Sequence, residues 1–247
     1  MIRALLALTC LIAFVSPAPA MVGSTSTPDP AIVRAVVIIV GSRGNACTGV
    51  ALARDLILTV AHSVLPGADY KIVEFDSARQ PQLRDVTSVT AHPKFDLQTL
   101  LGHRATADVA LLKLRAPLAS VEPAALGVGQ PVAPGDAFVV AGTGVAVRGD
   151  GKSGGVTRAA TLVATGKPGT LQIRLVDPAT RGETAGLGAC TGDSGAPVFR
   201  GSDVIGLVSW STGPKNAAGC GGLTGVTPLA LYRDWITQTA KILGNQF

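Results

Sequence analysis

The chain has no apolar run long enough to cross a bilayer. Its longest, from Ala4 to Val15, is about a dozen residues where a span needs roughly 20. No group of Asp, Glu or His has metal-ligand spacing, and no glycine-rich phosphate loop follows a strand-like segment. Neither a metal nor a cofactor is therefore expected. Charge is sparse too: 15% of residues are charged against 47% hydrophobic, which excludes extended disorder, and no basic run could track phosphates. This argues against a nucleic-acid partner. Internal repeats are absent, and the polar Ser24 to Pro30 is the one low-complexity segment. Histidine is limited to His62, His92 and His103, so any general base must come from a short list.

The start of the chain is informative. Met1-Ile2-Arg3, the apolar stretch and then Ala18-Pro19-Ala20 have the order of a secretory signal peptide with a small-residue cleavage site. Cleavage is expected near Ala20, giving a secreted or periplasmic protein without a stable membrane anchor. Lipid attachment at Cys10 does not fit, because Thr9 is not the small residue that should precede it and Cys10 lies inside the apolar region. The mature chain would keep 227 residues and a formal charge of +4, enough length for a substantial core. Scattered surface lysines and arginines account for the basic balance.

Short apolar segments bounded by Gly, Pro, Asp or Ser recur at Ala35 to Val40, Leu56 to Val60, Val109 to Leu114, Ala137 to Ala141, Leu171 to Val176 and Val204 to Trp210. That spacing predicts an all-β sandwich or barrel. In Leu171-Gln172-Ile173-Arg174-Leu175 the alternation has a period of two, one face buried and one wet. Four prolines between Pro117 and Pro134 mark a linker dividing the chain into halves. From Leu229 to Leu243 there is no Pro or Gly, and Leu231, Trp235, Ile236 and Leu243 recur at roughly helical spacing. A closing helix packed on the second half is expected.

Chemistry concentrates in Cys190-Thr191-Gly192-Asp193-Ser194-Gly195-Ala196-Pro197, a serine in a glycine-flanked turn. A serine hydroxyl is a weak nucleophile unless a base activates it and a third group orients that base. His62 ends the apolar run Leu56 to Ala61, and Asp108 opens the apolar Val109 to Leu114. An acid in that setting stays buried only if paired. His92, His103 and Asp96 are rivals, but none borders an apolar strand.

These motifs resemble the trypsin-like (chymotrypsin-family) serine peptidases. His, Asp and Ser stand in that family's order, separated by 46 and 86 residues, and the landmarks His92-Pro93, Ser209-Trp210-Ser211 and Gly225-Val226 agree. The resemblance covers nearly all of the exported part. It implies an all-β fold of two antiparallel six-stranded β-barrels with the active site in the cleft between them. The expected extents are about 32–117 and 135–228 for the barrels, 118–134 for the linker and 229–243 for the helix. It also implies a Ser194-His62-Asp108 triad acting on a protein or peptide, with the N–H groups of Gly192 and Ser194 as oxyanion donors.

The same resemblance implies that Asp193 pairs with the α-amino group of the mature N-terminus. Met21-Val22-Gly23-Ser24, 26 residues before Cys47, matches that start. A later cut before Ile32 leaves too short an interval. Gly188 would form the pocket floor, with Thr191, Ser209, Trp210, Ser211 and Gly225 around it, and Ser209 to Ser211 would pair with extended substrate. A basic side chain finds no counter-charge at Gly188, so an uncharged residue before the scissile bond is expected. Cys190 and Cys220 would form a bridge. Cys47 would stay a buried thiol, because Ser63 stands where its family partner would be. Thr143 and Ala196 replace residues common in the family. A calcium loop, which some members carry, would have only Asp69, Glu74 and Asp76 between Leu65 and Gln80. A single-chain secreted endopeptidase is the first expectation; a secreted binding scaffold and a serine esterase are the others.

Overall fold

The computed structural model describes residues 21–22, 28–102, 104–166 and 171–246. The expected leader at 1–20 and His103 lie outside them. The β-branched and aliphatic runs form strands because their side chains pack well on a pleated, buried surface. The first half contains β1 (Val36–Gly41), β2 (Ala46–Ala53), β3 (Leu56–Thr59), β4 (Tyr70–Phe75), β5 (Pro81–Ala91) and β6 (Ala110–Leu114). They close into a barrel in the order β1-β2-β3-β6-β5-β4, every pair antiparallel.

The second half contains β7 (Ala125–Leu126), β8 (Ala137–Gly142), β9 (Arg158–Ala164), β10 (Ile173–Val176), β11 (Pro197–Arg200), β12 (Asp203–Ser211) and β13 (Thr224–Pro228). Six of these run β11-β8-β9-β10-β13-β12 and close through the β11–β12 pair. The two six-stranded antiparallel barrels are thus present. The two-residue β7 adds to β12 in parallel, so the proline-rich linker contributes a short rung to the second sheet. Alternation holds for Ile173 in, Arg174 out and Leu175 in, whereas Leu171 precedes the strand and is exposed.

Each barrel has its own apolar interior, and a third apolar layer lies between them. That layer combines Val50, Leu58 and Leu111 from the first barrel with Phe199, Val204 and Leu207 from the second. Burial of this kind contributes roughly 25 cal/mol per Å² of apolar surface, so the barrels are held as one body with a cleft at their seam.

The ends of the chain differ from the sequence expectation. Pro30–Ala35 is a short helix, α1, started by the Asp29 side chain accepting from the Ala31 N–H and by Pro30 in the first turn. A second, α2 (Leu97–Leu101), is capped by Asp96, which accepts from the Thr99 N–H at 2.9 Å. At the C-terminus a 3-10 turn over Leu229–Tyr232 precedes α3 (Arg233–Ile242). The tighter turn shifts the phase, so Leu231 is 48% exposed although helical spacing predicts it buried. Ile236 and Ala240 pack into the layer shared by both barrels, so the helix rests on the first barrel as well as the second.

The linker is pinned from the first barrel. Glu74, only 6% exposed, accepts hydrogen bonds from the N–H groups of Ala119 and Ser120, the Ser120 hydroxyl and the Arg84 guanidinium. Burial pushes this carboxyl up, but the bonds from Ser120, Arg84 and Ala119 outweigh it and hold the group below 4.5. A lowered folded value stabilises the protein above 4.5, and that contribution is lost as pH falls through the folded value. Glu74→Gln is expected to cost about 1–3 kcal/mol in denaturant unfolding at pH 7. The difference from the parent chain should shrink in acid; a constant difference across pH would contradict the account.

Candidate active site

The barrel seam brings together three side chains that are far apart in sequence. The His62 Nε2 lies 2.9 Å from the Ser194 Oγ, and its Nδ1 lies 2.8 Å from the Asp108 Oδ2. His62 sits in the 3-10 turn Ala61–Val64 just after β3, so the strand aims the turn and the turn aims the ring. Asp108 precedes β6, the strand paired with β3, and Thr59 lies opposite Ala110. Register between neighbouring strands therefore sets the His–Asp distance.

Asp108 is fully buried and its charge is well served. Besides the imidazole, it accepts from the His62 N–H at 3.0 Å and from the Ser209 hydroxyl at 2.6 Å. A buried carboxylate is tolerable only with such partners. The rivals are engaged in other work: Asp96 caps α2, and His92 packs against the rings of Tyr232 and Trp235.

The turn around Ser194 is held by both barrels. The N–H of Thr48, in β2, donates to the Ser194 carbonyl at 2.9 Å, and its hydroxyl donates to the Gly192 carbonyl at 2.8 Å. Thr143, standing where the family commonly has tryptophan, closes a hydroxyl contact of 2.9 Å to Thr48. Gly192 and Gly195 have φ of 93° and 84°, and a Cβ on Gly195 would strike the Thr48 carbonyl. The Gly195 N–H donates to the Val208 carbonyl at 2.8 Å. Among the described residues, the N–H groups of Gly192 and Ser194 donate to no backbone acceptor, so both are available to a developing negative oxygen.

A cavity of about 480 Å³ opens over Ser194, with Cys47, Ser63, Ser211 and Gly219 among its lining residues. Thr191 and Cys190 line it as well, and Cys190 is bridged to Cys220 with a Cα–Cα distance of 4.8 Å. Four residues expected around the pocket do not line this cavity: Gly188, Ser209, Trp210 and Gly225. Gly188 packs against the Gly221 backbone, Ser209 faces Asp108, and the Trp210 indole covers Gly225, whose Cβ it would overlap. Gly225 thus accommodates the ring. Trp210 and Ser211 pair with Gly225 and Thr224 of β13, and β11 stops pairing at Leu207.

Asp193 is fully buried beside the nucleophile. Burial pushes its carboxyl up to about 6, against hydrogen bonds from Cys190 and Gly144 that pull it down. Those two N–H groups approach at 2.9 and 2.8 Å, and no ion pair reaches it among the described residues. Met21 is fully buried in the second-barrel core with Ala189 and Ala196, and Val22 bridges Gly188. Cys47 is a buried free thiol, raised by burial. Thr48 and Arg148 line or brace this site but carry no motif that sequence reasoning could have singled out.

Comparison with known proteins agrees with the geometry. The family model described as Trypsin matches residues 22–236. The chain is 26% identical to a trypsin of Phaedon cochleariae over 79% of either chain. It is 28% identical to a vitellin-degrading protease of Bombyx mori, covering 78% of this chain and 76% of that one. Among solved structures, it is similar to neuropsin, a serine protease of mouse brain, with a TM-score of 0.67 at 18% identity over 86% of this chain and 96% of that one. At that identity the likeness concerns the fold.

Proposed function

The chain belongs to the trypsin family of serine endopeptidases, and from that premise we propose that Ser194, His62 and Asp108 are its catalytic triad. The observation that carries this is the unbroken line of hydrogen bonds, 2.9 Å from Ser194 to His62 and 2.8 Å from His62 to Asp108. His62 takes the hydroxyl proton as Ser194 attacks the scissile carbonyl, then gives it to the leaving amine, and water hydrolyses the acyl-enzyme by the reverse path. Asp108 holds the imidazole tautomer and stabilises its charged form. The Gly192 and Ser194 N–H groups bind the oxyanion, each such donor being typically worth about 10²–10³ in rate.

The protein acts outside the cytoplasm as a single chain on protein or peptide substrates. The Cys190–Cys220 bridge fits an oxidising compartment. No helix among the described residues is long and apolar enough to cross a membrane. Before the scissile bond an uncharged residue is favoured, since no carboxylate lines the cavity to receive a basic one, and the backbone of Trp210 and Ser211 receives the substrate as an added strand.

A fluorophosphonate probe is expected to label the mature chain on Ser194, with labelling abolished in Ser194→Ala. Unlabelled parent protein would favour a binding scaffold on this fold. A peptide library then divides the chemistry: cleavage after uncharged residues supports the endopeptidase, turnover of esters alone points to an esterase, and efficient cleavage after Arg or Lys overturns the pocket assignment.

A further inference from the structure

Arg148 is a charged side chain in the cleft that the triad does not use. It lines the same cavity as Ser194 and Ser211. Its loop is tied down at several points rather than left loose. The Val145 N–H donates to the Thr191 carbonyl at 2.9 Å, three residues from the nucleophile. Inside the loop the Ser153 hydroxyl accepts from the N–H groups of Ala146 and Val147 at 3.1 and 3.0 Å and donates to the Asp150 carbonyl at 2.6 Å.

The guanidinium itself is seated. Its Nη1 donates to the Ala218 carbonyl at 2.8 Å, and a Cβ on Gly219 would lie 2.7 Å from that nitrogen. Glycine at 219 leaves room for this seat. A guanidinium carries five N–H donors, and this contact uses one nitrogen. Among the described residues no carboxylate pairs with Arg148, and none lines the cavity. An unneutralised cation with spare donors therefore stands against Ala218 and Gly219, next to Cys220 of the bridge and in the lining of the cavity that holds Ser194.

We propose that Arg148 is a specificity residue that favours an acidic side chain immediately before the scissile bond. The proposal rests on the endopeptidase function and departs from the uncharged preference proposed above by placing an acidic side chain ahead of a neutral one. The cavity offers a basic side chain no carboxylate, while Arg148 adds a positive charge to its lining, so glutamate is taken ahead of its neutral isostere glutamine. An Arg–carboxylate contact is directional as well as electrostatic, which suits a fixed guanidinium.

The test uses the mature chain and two peptides identical except for Glu or Gln before the cleaved bond. At low ionic strength kcat/KM for the Glu peptide is expected to exceed that for Gln about fivefold, a size typical of a solvent-accessible ion pair. Added salt should reduce the ratio. In Arg148→Ala the ratio should fall to about one. Gly219→Ala, which displaces the guanidinium without removing its charge, should reduce the ratio in the same direction. Equal rates on the two peptides in the parent chain, or a Glu preference that survives Arg148→Ala, overturn the proposal. Cleavage of neither peptide would instead sink the endopeptidase function on which it stands.

Discussion

Asp108→Asn is expected to lower turnover by about 10⁴-fold while the protein remains folded. The amide is nearly the same size as the carboxylate, so the loss comes from its hydrogen-bonding pattern. Asp108 receives three donors: the His62 ring at 2.8 Å, the His62 N–H at 3.0 Å and the Ser209 hydroxyl at 2.6 Å. Asparagine has one accepting atom and one donating group, and cannot satisfy all three. If its NH2 faces the ring, Nδ1 becomes the acceptor and the proton moves to Nε2, which can then no longer take one from Ser194. If its oxygen faces the ring, the NH2 opposes the His62 N–H and the imidazole loses its counter-charge. Steady-state kinetics beside a thermal melt distinguishes this from unfolding. A variant retaining more than about a tenth of parental kcat would exclude Asp108 as the orienting acid. Ser209→Ala removes one neutral donor and leaves two, so a loss of about tenfold is expected there.

Much of this site was legible because its parts are local in sequence. An apolar run ending at His62, another opening after Asp108 and a glycine-flanked Ser194 each announce a strand or a turn, and strand pairing brings them together. The barrels were legible for the same reason, from short segments separated by turn residues. The helices α1 and α2 were not, since six and five residues are too few for a period to show, although Asp29-Pro30 and Asp96 left capping signals. Pocket walls depend on where side chains go after folding. Nothing in the order of residues says that the Trp210 indole lies over Gly225, or that Arg148 reaches across 70 positions to Ala218. Thr48 was hidden similarly: a threonine in an apolar strand looks like a β-branched filler until its partners in the other barrel are known.

A chain with residues left in front of Met21 is expected to lose about 10²- to 10³-fold in kcat/KM relative to one that begins there. The argument starts from Asp193, fully buried, held by two backbone N–H groups and raised by burial to about 6. Met21 is buried in the same barrel's core, and Val22 is bridged to Gly188 within the run that leads to the nucleophile. Cleavage after Ala20 turns the Met21 nitrogen into an ammonium, and we propose that this ammonium pairs with Asp193, as the family resemblance implies. A buried pair left without one member costs about 3–5 kcal/mol, the lower part of which corresponds to the expected loss in rate if the oxyanion turn depends on it. Linkage gives an independent sign. In the uncut chain Asp193 titrates at about 6 against 3.8 unfolded, so between those values the native state holds a proton that the unfolded state has released. Stability of the uncut chain should therefore decline as pH rises through that window, by up to about 3 kcal/mol. Pairing with the ammonium lowers the folded value of Asp193, and the decline should vanish in the mature chain. Sequencing the active protein's N-terminus, with denaturant melts at pH 4 and 7 on both forms, tests both halves. A mature start other than Met21, or equal activity with and without the extension, would remove the export-linked activation.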